Sequence, residues 1–133
     1  MLAALLLAAT MASAAHVREL ISKDQWKEAL AEARALVAET PAPEASAALG
    51  EALYRAGQID DAGEALTPIV AEGDAPARAL AQLGLVRAAQ GKDGEAAALM
   101  ERAVAKAPQD PWVAYRASGA ARSRARAVEL LRT

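Results

Sequence analysis

Residues 45–66 read ASAALGEALYRAGQIDDAGEAL, and residues 78–100 read RALAQLGLVRAAQGKDGEAAALM. Laid over one another at an offset of 34, Leu49-Gly50 returns as Leu83-Gly84, Gly57 as Gly91 and Ala62 as Ala96. Alanine richness alone does not reproduce four matches in fixed order at one spacing. A period of this length describes a unit that cannot bury its own apolar face and must stack on its neighbours. The composition says what the unit is made of. Alanine dominates, Phe is absent, aromatic residues are 3% of the chain, and Val and Ile are sparse, so strands have little to be built from. Alanine has the best helix propensity, and small side chains let helices approach closely. The chain reads as all-α.

Each repeated position has a physical reading. Gly50 and Gly84 fall where the first helix of a unit meets its neighbour and a side chain would hold the backbones apart. Gly57 and Gly91 close that helix, because glycine enters the left-handed conformation freely. Ala62 and Ala96 then stand at the close crossing on the second helix, with Leu66 and Met100 one turn further on the same face. Pro41 and Pro108 stop helices, whereas Pro68 falls inside one and predicts a kink or a restart after Thr67.

The Leu-Gly pair, the turn glycine, the alanine four residues before a larger slot and the terminal proline together resemble the tetratricopeptide repeat. The resemblance implies an α-solenoid: a right-handed superhelical stack of antiparallel helix pairs, here of about 3 to 3.5 repeats. Residues 43–76 and 77–110 are the well-matched units. Residues 10–42 form a degenerate first unit, with Trp26 in the aromatic slot, Ala29 one residue short of the period and Asp24 in place of the turn glycine. A fourth begins at Asp110-Pro111-Trp112, an N-cap followed by proline at the first helical position. After Arg122-Ser123-Arg124 a second helix is expected, carrying Leu130 and Leu131, so that residues 111–133 are either capping helices or an incomplete repeat.

The N-terminus adds a different signal. Leu2 to Ala9 is an unbroken apolar run, followed by the small-x-small triplet Ala12-Ser13-Ala14. That run is too short to span a bilayer and suits a secretory signal peptide over residues 1–14, although no Lys or Arg precedes it. The expected location is periplasmic or secreted, by export across a bacterial inner membrane. An uncleaved inner-membrane anchor and an apolar first repeat helix are the competing readings. Cleavage at Ala14 would leave the first helix about two turns.

Catalytic chemistry has little to work with. Cysteine is absent and His16 is the only histidine, so no thiolate or histidine cluster is available for a metal, and no serine has a credible base. Asp60-Asp61 opens a helix, where acidic residues favour the dipole. Gly91-Lys92-Asp93-Gly94 lacks the spacing of a phosphate loop. No cofactor and no small-molecule substrate are expected. A net charge of −2 disfavours nucleic acid, even though Arg116, Arg122, Arg124, Arg126 and Arg132 cluster late in the chain.

The resemblance implies a binding role instead. First helices of each unit line a concave wall on which a protein or peptide partner lies. The positions it turns inward are Glu44, Ala47, Glu51, Tyr54 and Arg55 in the second unit and Arg78, Ala81, Leu85, Ala88 and Ala89 in the third. Trp112, Tyr115 and Arg122 follow in the fourth. Among them, Glu51, Tyr54, Arg55, Arg78, Leu85, Trp112, Tyr115 and Arg122 are the candidate partner contacts, since Tyr, Trp and Arg are the types that concentrate binding energy. Glu51 and Arg55 are also spaced to pair with each other, and Trp112 to cover the last core layer. The family's carboxylate clamp needs two asparagines, and the chain contains no Asn. The function expected is a non-catalytic interaction scaffold. An accessory domain of a larger secreted hydrolase, continuing past Thr133, is the alternative, and the open ends also permit self-association.

Overall fold

The computed structural model of the chain describes residues 2–131, and for residues 3, 6–12, 120, 121, 123, 124, 126–128, 130 and 131 the description is confined to the backbone. The expected apolar pair Leu130-Leu131 therefore lies outside the described side chains. Seven helices run in order: α1 (Leu2–Ser22), α2 (Trp26–Glu39), α3 (Pro43–Arg55), α4 (Ile59–Ala71), α5 (Ala77–Ala89), α6 (Asp93–Lys106) and α7 (Pro111–Leu131). No strand occurs among the described residues.

The same turn closes α1, α3 and α5. Gln58 N–H donates to Leu53 O at 2.9 Å and Lys92 N–H to Arg87 O at 2.8 Å, across Gly57 and Gly91 at φ +84° and +80°. In the first unit Gln25 N–H reaches Leu20 O at 2.9 Å, and Asp24 takes the glycine position at φ +58°. A non-glycine residue there costs about 1–2 kcal/mol, less for Asp than for most. The degenerate first unit thus keeps the backbone of the others and bears strain for it.

The two Leu-Gly glycines do what their spacing suggested. A Cβ on Gly50 would sit 2.5 Å from Leu66 Cγ, and one on Gly84 would sit 3.2 Å from Met100 Cε. Leu66 is fully buried against that bare stretch of α3. At the equivalent positions of the first unit, 33 residues earlier, stand Val17 and Ala33, both fully buried. The large and small partners have exchanged helices, and the volume filled is nearly conserved.

Consecutive helices pack pairwise, and α1, α3, α5 and α7 also contact one another in sequence. No such contacts join α2, α4 and α6 among the described residues. A row whose members touch is the inner row of a curved stack, and a row whose members do not is the outer one. The odd-numbered helices therefore form the concave wall. Arg87 ties the layers together, donating to Thr67 Oγ1 on α4 and to Gln90 Oε1, and pairing with Glu95 of α6 at 3.4 Å.

Two expectations at the level of elements need correction, and of the kink or restart expected at Pro68 the restart does not occur. α4 runs as one helix through Pro68. Pro68 and Glu64 are both exposed, so the carbonyl that loses its partner faces water, while Thr67 Oγ1 donates to Gly63 O. The fourth unit is not a helix pair: α7 is one helix of 21 residues. The turn slot that holds Gly57 and Gly91 falls on Ala125, which resists a positive φ, and nothing stops the helix before it. Trp26, placed in an aromatic slot, is 41% exposed with Lys27 over its ring.

α1 is continuous through Ala12-Ser13-Ala14, and Ala14 contributes to the core with Val17 and Ile21. Its first half carries Leu2 and Leu5 exposed. Among the described residues no helix is long and apolar enough to cross a membrane.

Candidate functional site

The concave wall encloses a cleft of about 270 Å³, to which every helix of the inner row contributes one face. α1 presents Arg18, Ile21 and Ser22, and α3 presents Glu51, Tyr54 and Arg55. From α5 come Arg78, Gln82 and Leu85, and from α7 Trp112 and Arg116. The spacing of three and four within each set puts its members on one side of a helix.

The cleft brings together Glu51, Tyr54, Arg55, Arg78, Leu85 and Trp112 among the residues expected to face a partner. Tyr115 and Arg122 are not in it: Tyr115 is 66% exposed, and Arg122 is exposed further along α7. Ala47 and Ala81, also expected inward, are buried in the core. Glu44, Ala88 and Ala89 lie outside the lining. Trp112 does both jobs considered for it, packing on the core while lining the cleft. Glu51 and Arg55 do not pair with each other. Glu51 reaches back one unit to Arg18 at 3.2 Å, and Arg55 reaches Asp24 at 3.5 Å.

Charge in the cleft opposes the charge of the chain. The lining holds Arg18, Arg55, Arg78 and Arg116 with one carboxylate, Glu51, in a protein of net charge −2, while Asp24 and Asp110 meet Arg55 and Arg78 from outside it. Asp110 works at the rim. Its Oδ1 accepts the Trp112 and Val113 N–H groups at 2.9 and 3.3 Å, capping α7 as its position in the sequence suggested. Its Oδ2 stands 3.9 Å from Arg78 Nε. The Arg78 guanidinium lies 4.7 Å from the Trp112 ring centre, and that of Arg116 lies 5.5 Å from it. Two cations sharing one aromatic ring hold Trp112 in a fixed orientation at the end of the cleft.

Sequence reasoning missed Gln82 and Arg116. Gln82 is 3% exposed, and its Oε1 is buried without a hydrogen-bond partner. Arg116 Nε is likewise buried and unpartnered. Each such atom costs about 1–3 kcal/mol, which a structural role would not require. A signal was present. The slot that holds buried Ala48 in the second unit holds Gln82 in the third and Arg116 in the fourth, at the 34-residue offset. Polar groups entering an alanine slot mark where the scaffold yields to something else.

Among the described residues no cluster of His, Asp or Glu is placed to hold a metal ion. The arrangement offers hydrogen-bond donors, one buried acceptor and aromatic surface.

No curated protein matches the sequence. Solved structures do. The first tetratricopeptide domain of human RPAP3 superposes with TM-score 0.71 at 17% identity, covering 87% of this chain and 92% of that one. The first such domain of Spaghetti, bound to an HSP90 peptide, gives 0.69 at 17% identity over 87% and 93%. The Yersinia enterocolitica type III secretion chaperone SycD, in complex with a peptide of the translocator YopD, gives 0.65 at 13% identity over 84% and 92%. At these identities the likeness is one of fold. The sequence model of the tetratricopeptide repeat matches residues 14–74 and again 48–111, and with both matches spanning most of the helical stack, the chain belongs to the tetratricopeptide repeat family.

Proposed function

We propose that this protein is a non-catalytic scaffold that holds a peptide segment of another protein in the cleft across α1, α3, α5 and α7. One observation carries the reading. The core slots repeat from unit to unit as Gly, Ala and Leu or Met, while the cleft slots hold Arg, Gln, Tyr and Trp, the last two with Arg being the types that concentrate binding energy. Spaghetti and SycD, which share the fold, are each seen with a peptide, and this supports the same use here. Capture of partners by the wild type and by the Tyr54→Ala/Arg55→Ala variant tests it. Partners are lost from the variant if they lie in the cleft, and equal recovery by both removes the assignment.

The proposal extends to export. The apolar run from Leu2 to Ala9 and the triplet Ala12-Ser13-Ala14 support entry into a secretory route, with residues 1–14 removed or kept as an anchor. N-terminal sequencing of the protein recovered from its native host discriminates: Ala15 as first residue marks cleavage, and Met1 or Leu2 marks retention.

A further inference from the structure

We infer that the cleft reads the main chain of one residue within an extended, acidic peptide segment, with Gln82 Oε1 accepting that residue's N–H and Arg116 Nε donating to its C=O. The inference rests on the peptide-holding reading above and supplies its recognition chemistry. Gln82 on α5 and Arg116 on α7 belong to helices in contact, and both line the same cleft. One buried atom is an acceptor without a donor, and the other is a donor without an acceptor. A residue in an extended strand presents its N–H and C=O on the same edge, the complement of that pair. Both groups belong to the main chain, so the contact needs neither a free terminus nor a particular side chain on the read residue.

Charge selects what flanks the contact. Arg18 is engaged by Glu51 at 3.2 Å, while Arg55 and Arg78 reach only Asp24 and Asp110, at 3.5 and 3.9 Å. Asp24 is fully in solvent, so the Arg55 pair is readily exchanged for a ligand carboxylate. Acidic side chains on either side of the read residue find Arg55 towards one end of the cleft and Arg78 towards the other.

The probe is acetyl-Ala-Glu-Ala-Asp-Ala-amide, which has no free terminus and no carboxamide side chain. It is titrated into isotope-labelled protein while the Gln82 side-chain amide and Arg116 Nε resonances are followed. Three companion peptides carry an N-methyl group on the central alanine, lysines for the acidic residues, or an uncapped C-terminus. The capped acidic peptide is expected to shift both resonances. N-methylation, the lysine exchange and Gln82→Met are each expected to weaken binding about tenfold. Gln82→Met keeps length and burial, and its helical circular dichroism checks that it folds. A capped peptide that binds equally well after N-methylation, and equally well to Gln82→Met, overturns the inference and leaves the peptide-holding reading standing. So does binding that requires the free C-terminus. Failure of every peptide to shift a cleft resonance also overturns it, and the partner-capture comparison then decides the broader reading separately.

Discussion

Replacing Gly50 by alanine separates packing from propensity within one helix. In isolation the change favours α3, because alanine exceeds glycine by about 1 kcal/mol in a helix interior. The structure opposes it. The new methyl would lie 2.5, 2.6 and 2.9 Å from Cγ, Cδ2 and Cδ1 of Leu66, and Cγ is anchored close to the α4 backbone. Leu66 is fully buried, so it has no solvent side to move to. Overpacking of this kind costs about 1–3 kcal/mol, and the branched neighbour places Gly50→Ala in the upper part of that range. A net loss of about 1–2 kcal/mol follows. Gly84→Ala is the internal control, since its methyl meets Met100 Cε and Cγ at 3.2 and 3.3 Å, and an unbranched thioether yields. Its net effect is within about 0.5 kcal/mol of zero. Urea unfolding followed by circular dichroism measures both. A double-mutant cycle sharpens the test. Leu66→Ala alone costs about 2–5 kcal/mol, and adding Gly50→Ala to it refills part of the cavity, giving a favourable coupling of about 1–3 kcal/mol. Gly50→Val with Leu66→Ala recreates the arrangement that the first unit already has in Val17 and Ala33. Gly50→Ala as stable as wild type, or a coupling near zero, would mean that Leu66 does not hold the two helices at the glycine distance.

Asp24→Gly relieves a residue held at φ +58° and gives up only an exposed contact to Arg55, so thermal unfolding should show a gain of about 0.5–1 kcal/mol. Gly57→Ala meets no neighbour within 4 Å yet must hold φ +84°, and strain alone should lower stability by about 1–2 kcal/mol. Arg87→Ala removes the links to Thr67, Gln90 and Glu95 and should lower the unfolding midpoint by an amount equivalent to about 1–2 kcal/mol. Because the chain has no cysteine, Ala114→Cys and Glu129→Cys accept spin labels cleanly. A continuous α7 places them about 22 Å apart along the axis, whereas a helical hairpin brings them to about 10 Å.

What could be read from the residues follows a physical rule. Positions that constrain backbone were legible, because Gly57 and Gly91 must take a positive φ and Gly50 and Gly84 must let Leu66 and Met100 in. Those demands recur at a fixed spacing and so stand out. The single helix α7 was legible too, in Ala125 at the turn slot, but it was outweighed by the polar run Arg122-Ser123-Arg124, which is as compatible with a helix as with a turn. The cleft was half visible. Tyr54, Arg55, Arg78 and Trp112 follow from the inward face of each first helix. Gln82 and Arg116 were not seen, because one polar residue on an alanine-rich helix reads as solvated surface until its neighbours bury it. The pairing of Glu51 with Arg18 rather than Arg55 depends on how closely α1 lies against α3, which no spacing within α3 reports.

Whether a peptide lies in the cleft of the inner row is decided by competition among variants. Peptides selected from a random display library on the wild-type protein would be measured for affinity to Arg78→Ala, Trp112→Ala and Trp26→Ala. Trp26 is the exposed tryptophan outside the cleft and serves as the control for loss of a large aromatic surface. The selected peptides are expected to lose at least about tenfold in affinity for Arg78→Ala and Trp112→Ala and to bind Trp26→Ala unchanged. Peptides that bind the two cleft variants as tightly as the wild type, or that are lost only from Trp26→Ala, would put the binding surface outside the cleft.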